Sequence, residues 1–284
     1  MKITTENFFK TSDGAIIYYE DVGSGIPILM VPGFLCTTKF FCKNVEALCA
    51  KYRMITMDPR GQGNSSKSLC SNNMRRNALD IKELIDHLNL ENVILLGWSV
   101  AASVVVSYAA EFNEHKLAGL ALVDGSLHPF SGEPWNHHRG KDYNIDNWFA
   151  TYQPLVYNPQ KFYEEFTARI SNHGNMPEED RKWIMAECMK TMPWTAMEIH
   201  YDFCHTNNVP NLEKLKVPVA VFGSDSKAYG LDMVNEYMRR IPGYSETHEF
   251  YESGHLMFYY ESEKFNNCLD SFARKACEII SQEG

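Results

Sequence analysis

Short apolar runs recur along the chain, and each ends at a residue type that forms turns. These runs lie at 28–31, 54–57, 93–96, 120–123 and 217–222. Continuous apolar runs of this length predict strands that are buried on both faces, as in a parallel sheet covered by helices. A further run at 15–19 follows Asp13-Gly14 and predicts the second arm of an N-terminal hairpin.

Helical patterns separate the apolar runs. The segment 101–110 is apolar almost throughout, which predicts a buried helix, and 261–280 predicts a final helix. Another helix is predicted where one face carries apolar residues at helical spacing, namely Ala78, Ile81, Leu84, Ile85 and Leu88. Because strands and helices alternate with short links, we predict the α/β fold class with a doubly wound, mostly parallel sheet.

Residues 126–210 interrupt this alternation. The segment has helical periodicity without strand-like runs, and it holds four of the five tryptophans. We therefore predict a core formed by 1–125 and 211–284 and a helical cap inserted at 126–210. The aromatic stripes of the cap are expected to serve mainly in packing.

The charge balance narrows the possible partners. Lys plus Arg is 27 and Asp plus Glu is 36, so the formal net charge is −9. This excess of negative charge argues against nucleic acid or an anionic membrane as the main partner. The opening residues lack an apolar leader, which predicts a cytoplasmic protein. Residues 93–110 carry no charge, but Gly97 and Ser99 interrupt them, so we predict a strand and a helix there instead of a membrane span.

The eight cysteines form no Cys-x-x-Cys pair. We predict reduced thiols that pack as small buried hydrophobes, because a chain of this length does not need disulfides. The one dense histidine group comprises His128, His137 and His138, and its spacing does not match an ordered zinc site. We therefore predict neither a metal nor a cofactor.

The strongest chemical signal lies where the apolar run at 93–96 meets the predicted helix at 101–110. The residues between them complete a Gly-x-Ser-x-Ala motif centred on Ser99, with Gly97 and Ala101 as its small flanking residues. A serine on a sharp turn from strand to helix projects its hydroxyl above the sheet, and the turn requires small residues two positions away on each side. The alternative, a buried serine that only caps the helix, fits this context less well.

Four segments together resemble the α/β-hydrolase superfamily over most of the chain outside 126–210. They are Val31-Pro32-Gly33-Phe34, Asp58-Pro59-Arg60-Gly61-Gln62-Gly63-Asn64-Ser65, Gly97-Trp98-Ser99-Val100-Ala101 and Ser253-Gly254-His255. They resemble the family's oxyanion loop, the segment after its fourth strand, its nucleophile elbow and its histidine loop. The resemblance implies an α/β-hydrolase fold and the chain order serine, acid, histidine. Ala101 departs from the glycine that most members carry.

The resemblance also implies the role of each residue. Ser99 attacks a carbonyl carbon, and His255 accepts the serine proton and later protonates the leaving alcohol. The backbone N–H groups of Val100 and Phe34 donate to the oxyanion that forms. Asp58 and Arg60 are expected to be structural.

The third member of the triad has two candidates. Most relatives carry the acid three residues after a glycine in the turn beyond the cap, where this chain has Ser226 after Gly223. Asp225 lies one residue earlier in that turn. Asp124 ends the run at 120–123, and some relatives carry their acid at that place. We favour Asp124, although an aspartate that ends a strand can also serve only as a turn residue.

These features predict a serine hydrolase that cleaves a carboxylic ester, thioester or lactone through an acyl-serine intermediate. Aromatic and methionine residues in 126–210 predict a small hydrophobic substrate. The serine excludes relatives whose nucleophile is a carboxylate, namely dehalogenases and epoxide hydrolases. Carbon–carbon bond hydrolysis, perhydrolysis and cofactor-free oxygenation remain alternative uses of the same site, and a ligand receptor is an alternative of another class. The oligomeric state is left open.

Overall fold

A computed structural model describes residues 5–136, 144–170, 176–225 and 229–283. Its centre is one eight-stranded sheet with the strand order β1-β2-β4-β3-β5-β6-β7-β8. The strands are β1 (Thr5–Lys10), β2 (Ile16–Val22), β3 (Pro27–Val31), β4 (Arg53–Met57), β5 (Val93–Trp98), β6 (Leu117–Val123), β7 (Val219–Ser224) and β8 (Ser245–Phe250).

The sheet is mostly parallel, as the sequence predicted. β1 pairs with β2 and β2 pairs with β4 in antiparallel register, whereas every neighbouring pair from β4 through β3 to β8 is parallel. All residues of β3, β5, β6 and β7 are buried, which is why these strands appear in the sequence as uninterrupted apolar runs.

The helices pack around this sheet. They are α1 (Cys42–Leu48), α2 (Met74–His87), α3 (Val100–Glu111), α4 (Ile145–Tyr152), α5 (Pro154–Tyr157), α6 (Pro159–Ile170), α7 (Glu178–Cys188), α8 (Pro193–His205), α9 (Leu231–Arg240), α10 (Met257–Tyr260) and α11 (Ser262–Glu283). The helix predicted at 101–110 is α3, nearly all of which is buried, and the predicted final helix is α11. None of the described helices is both long and apolar enough to cross a membrane.

The described residues between β6 and β7 form α4 to α8 and short 3₁₀ turns, without a strand. Several hydrogen bonds join these helices to segments that follow strands of the sheet. Thr37 donates to Glu187 of α7 at 2.9 Å, and the hydroxyls of Tyr259 and Tyr260 both donate to Asp180 at 3.0 Å. We propose that residues 126–210 form the cap predicted above, and we call them the cap segment.

The strand order determines which loops can meet. β5 lies between β3 and β6, and all three run parallel, so their carboxyl ends lie at the same edge of the sheet. In sheets of this kind, ligands bind outside the carboxyl ends of the strands. The segments that follow β3, β5 and β6 begin with Pro32, Ser99 and Asp124, so the predicted site residues converge there.

Candidate active site

Ser99 occupies a strained turn between β5 and α3. Its φ of 60° and ψ of −121° are rare for a residue with a side chain, and its N–H donates to the carbonyl oxygen of Val123 at 2.8 Å. Gly97 and Gly125 allow this turn to pack. A Cβ on Gly97 would lie 2.3 Å from the carbonyl oxygen of Ala101, and one on Gly125 would lie 2.2 Å from that of Ser99. The turn therefore has the shape of a nucleophile elbow.

His255 and Asp124 form a close pair beside this turn. Nδ1 of His255 lies 2.6 Å from Oδ2 of Asp124, and the carboxylate is almost completely buried. Because an ionised carboxylate can only accept, this contact requires the proton on Nδ1 and leaves Nε2 as the other ring nitrogen. Ser224 donates from its backbone N–H and its hydroxyl to the other oxygen of Asp124, at 3.1 and 3.0 Å. Three donors therefore fix the orientation of this carboxylate.

The loop that carries His255 extends from the end of β8 past β7 to Asp124 at the end of β6. His255 follows β8, whereas Asp124 follows β6, which lies two strands away. The indole N–H of Trp98, the last residue of β5, donates to the carbonyl oxygen of His255 at 3.1 Å. This hydrogen bond ties the histidine loop to the strand that carries Ser99.

Asp225, the other candidate acid, lies at the tip of β7. It is exposed, and its backbone N–H donates to the carbonyl oxygen of Phe250 at 3.3 Å. Ser226, which holds the position that most relatives give to the acid, lies outside the described residues. The carboxylate bonded to Nδ1 of His255 is that of Asp124.

The loop after β3 lies directly against the nucleophile turn. A Cβ on Gly33 would lie 2.7 Å from the Cβ of Ser99, so only glycine permits this approach. The next residue, Phe34, lines a cavity of about 20 Å³ together with Val100. Val100 is the first residue of α3, where a backbone N–H has no partner within the helix. The residues of the two predicted oxyanion donors thus line one small cavity, which adjoins the nucleophile turn and is not itself lined by Ser99 or His255.

Gln62 holds this loop in place. Its Oε1 accepts from the N–H of Leu35 at 2.6 Å, and its Nε2 donates to the carbonyl oxygen of Gly33 at 3.2 Å. These two bonds flank Phe34, so they fix the peptide whose N–H was predicted to bind the oxyanion. Gln62 is 2% exposed and lies in the segment after β4 that resembles the family pattern.

Aromatic side chains surround the site. Phe34 contacts Phe166 and Tyr152 of the cap segment, with ring centroids 5.7 and 6.0 Å apart. Tyr229 stacks on the imidazole of His255 at 5.0 Å, and its hydroxyl lies 3.5 Å from Oγ of Ser99. The site is therefore bordered by apolar side chains of the cap segment and by the ring of Tyr229 beside His255.

Three residues at the site were not identified from the sequence as functional. Gln62 lies in the segment 58–65 and Ser224 in the segment 223–226, and these two family-like motifs are the signal that points to them. Tyr229 lies after β7 in a stretch of sequence that matches no motif, and no signal in the sequence points to it.

In the part of the chain that the structure describes, no group of three or more His, Cys, Asp or Glu residues could hold a metal ion. His128 is described, and its partial burial lowers its pKa, whereas His137 and His138 lie outside the described residues. All eight cysteines are described and free. The prediction of buried thiols is confirmed for Cys36, Cys188 and Cys204. Cys49, Cys268 and Cys277 are half-buried, and the prediction is wrong for Cys42 and Cys70, which are exposed.

Comparison with known proteins gives related chains of similar length. A relative among curated proteins is the AB hydrolase superfamily protein YisY of Bacillus subtilis (strain 168), which is 24% identical over 274 residues covering 94% of this chain and 98% of the relative. The non-heme haloperoxidase of Rhodococcus erythropolis is 25% identical over 224 residues, covering 77% and 81% of the two chains.

A solved esterase from Exiguobacterium antarcticum superposes with a TM-score of 0.87 at 24% identity, covering 95% of this chain and 100% of that one. At this identity the likeness shows the fold alone. The family model for the alpha/beta hydrolase fold matches residues 26–262, which include the oxyanion loop, the nucleophile turn and the histidine loop. The resemblance seen in the four sequence motifs is thereby confirmed, and the chain belongs to the α/β hydrolase fold family.

Proposed function

We propose that the protein is a serine hydrolase that cleaves carboxylic esters, thioesters or lactones through an acyl-serine intermediate. The observation that carries the proposal is the pairing of Asp124 with His255 at 2.6 Å beside a serine held at φ 60°. A strained serine, a histidine with one nitrogen occupied by a buried carboxylate, and two nearby backbone donors are the parts that acyl transfer requires.

Each part has a defined step in this mechanism. Ser99 Oγ attacks the carbonyl carbon while Nε2 of His255 takes its proton, and Asp124 stabilises the imidazolium that forms. The N–H groups of Phe34 and Val100 donate to the negative charge that develops on the carbonyl oxygen. His255 then protonates the leaving group. Water attacks the acyl-serine in the second half, with the same histidine as the base.

The surroundings of the site support a small hydrophobic substrate. Phe34, Phe166 and Tyr152 present apolar surface near the oxyanion loop, and binding pockets for small molecules are typically lined in this way. The net charge of −9 supports the prediction that nucleic acid is not a partner. The cytoplasmic location is part of the proposal, and the eight free thiols support it because disulfides are rare in reducing compartments.

A series of p-nitrophenyl esters with acyl chains of increasing length tests the proposal. We expect turnover that is higher on medium chains than on very short or charged ones, and its loss in Ser99→Ala. Ser107→Ala changes another serine further along α3 and is the matched control, which we expect to keep its activity. Folded wild-type protein without turnover on any ester would contradict the hydrolase and favour a ligand receptor.

Perhydrolysis is a second candidate, because a relative over 77% of this chain is a non-heme haloperoxidase. In this reaction hydrogen peroxide, instead of water, attacks the acyl-serine, so the acyl group leaves as a peracid and Ser99 recovers its proton. Incubation with a carboxylic acid and hydrogen peroxide, followed by detection of peracid, tests this activity. Formation of peracid by the wild type and not by Ser99→Ala would support it, and its absence in both would exclude it.

A further inference from the structure

Tyr229 touches both reactive residues of the proposed site. Its hydroxyl lies 3.5 Å from Oγ of Ser99, and its ring lies nearly parallel to the imidazole of His255, at 18° and 5.0 Å between centroids. The residue is 5% exposed and lies just before Gly230, which caps the N-terminus of α9. The two hydroxyls are close enough to share a hydrogen bond in which either oxygen can be the donor, so Tyr229 brings a group able to donate to the side of the nucleophile.

The position of Tyr229 in the sheet differs from that of the oxyanion donors. Phe34 follows β3, which lies on one side of β5, and Val100 lines a cavity together with Phe34. Tyr229 follows β7 and stacks on His255, on the other side of Ser99. The histidine must reach the leaving-group oxygen in order to protonate it, so the leaving group lies on this second side. Tyr229 therefore borders the space of the leaving group and not that of the oxyanion.

We propose that Tyr229 is a further catalytic residue that donates a hydrogen bond from its hydroxyl to the leaving-group oxygen during acylation. This inference rests on the proposed serine hydrolase mechanism and identifies one substrate class for it, esters of alcohols that leave poorly as anions. In the step, the bond from Oγ to the carbonyl carbon forms and the bond from that carbon to the alcohol oxygen breaks. The proton of Ser99 passes through His255 to the alcohol, while Tyr229 keeps its own.

Two leaving groups on the same acyl chain separate this role from simple packing. The p-nitrophenolate anion is stable and leaves without a proton, whereas ethoxide needs both a proton and charge stabilisation. Tyr229→Phe keeps the ring that stacks on His255 and removes only the hydroxyl. A residue that merely packs would affect the two substrates alike, because both require the same serine, histidine and acyl binding.

The experiment measures kcat/KM for ethyl butyrate and p-nitrophenyl butyrate in wild type and Tyr229→Phe. We expect a loss of about 10- to 100-fold on the ethyl ester, as for a hydrogen bond to a group that gains charge, and a change of about threefold or less on the p-nitrophenyl ester. Tyr108→Phe is the matched control. It removes another buried hydroxyl, which donates to the carbonyl oxygen of His115 at 2.6 Å, at the far end of α3.

The outcomes separate this inference from the proposed function. An equal loss on both esters, or no loss on either, in a protein whose wild type is active would overturn the role of Tyr229 and leave the hydrolase intact. The p-nitrophenyl activity of the variant also shows that it has folded. A wild type that turns over neither ester would contradict the hydrolase itself and this inference with it.

Discussion

At the scale of single residues, the geometry of the proposed triad depends on a carboxylate whose two oxygens have separate tasks. Oδ2 of Asp124 bonds to Nδ1 of His255, while Oδ1 accepts twice from Ser224. A buried carboxylate held by three donors keeps one orientation, and in the proposed mechanism its bond to Nδ1 leaves Nε2 for the serine. In the proposed mechanism the acid therefore acts on the histidine by fixing its tautomer as well as by its charge.

This arrangement predicts different effects for the two candidate acids. Asp124→Asn should lower kcat by orders of magnitude, about 10⁴ by analogy with another serine triad, because the amide favours the wrong tautomer of His255. Asp225→Asn changes an exposed residue and is the matched control, with an expected loss of less than about threefold. Steady-state kinetics on a p-nitrophenyl ester measures both, and the opposite ranking would assign the acid to the turn after β7.

The sequence indicated some of these residues and could not indicate others. Ser99 and His255 lie in motifs whose local structure determines their exposure, so they could be proposed from the sequence. The sequence favours Asp124 over Asp225 only by resemblance, because the choice depends on how far the loop after β8 reaches across the sheet. Tyr229 could not be found at all, since its contact with Ser99 joins residues far apart in the chain.

At the scale of elements, the turn between β5 and α3 depends on small residues at fixed positions. We expect Gly97→Ala to lower the free energy of unfolding by about 1 to 3 kcal/mol and to reduce turnover. The added Cβ would meet backbone, 2.3 Å from the carbonyl oxygen of Ala101, and backbone cannot move aside cheaply.

Gly132→Ala is the matched control for this change. A Cβ at that position meets no heavy atom within 4 Å, so its stability and activity should stay close to the wild type. Urea unfolding and ester turnover measure both variants. Equal effects of the two substitutions would show that the close packing of the elbow is not what requires glycine.

Elements buried on both faces were predictable, and an edge strand was not. The runs at 28–31, 54–57, 93–96 and 120–123 correspond to β3, β4, β5 and β6, because the interior requires apolar side chains on both faces. β8 has the sequence Ser-Glu-Thr-His-Glu-Phe and is mostly half-buried at the sheet edge. Because most of its side chains are polar, β8 does not appear in the sequence as an apolar run, although its pairing with β7 is complete.

At the scale of the whole molecule, Asp58 lies fully buried where the loops after β3 and β4 approach the cap segment. Its oxygens accept from the N–H groups of Thr38 and Asn64, both at 2.7 Å. Burial raises its pKa from the ordinary 3.8 to about 6; these two N–H donors and the charge of Lys190 oppose the rise, while Glu187 adds to it. A carboxyl group with a raised pKa links the stability of the molecule to pH.

The sign of this linkage follows from the direction of the shift. The folded protein binds the proton more tightly than the unfolded chain, so this contribution is complete below about pH 4 and is lost as the pH rises through about 6. The stability of wild type relative to Asp58→Asn should therefore be greater at about pH 4.5 than at about pH 7.5, by about 2 kcal/mol. Urea unfolding at both values measures it, and a difference independent of pH would contradict the raised pKa.

The fold of the whole molecule follows from the sequence, whereas the reaction is a proposal. Alternation of strands and helices, together with four motifs, was sufficient for the α/β hydrolase fold, because both follow from local sequence. One fold of this kind supports many reactions, and the choice among them depends on the side chains around the site, including single contacts such as that of Tyr229. Such contacts are not encoded in a local pattern.

The proposed mechanism depends most on Ser99 acting as a nucleophile, and covalent labelling tests this directly. A fluorophosphonate probe should add once to the folded wild type, on the peptide that contains Ser99, as measured by intact-protein and peptide mass spectrometry. Ser99→Ala should remain unlabelled. An unlabelled wild type that is folded, or a label that persists on another residue of Ser99→Ala, would contradict the proposed mechanism.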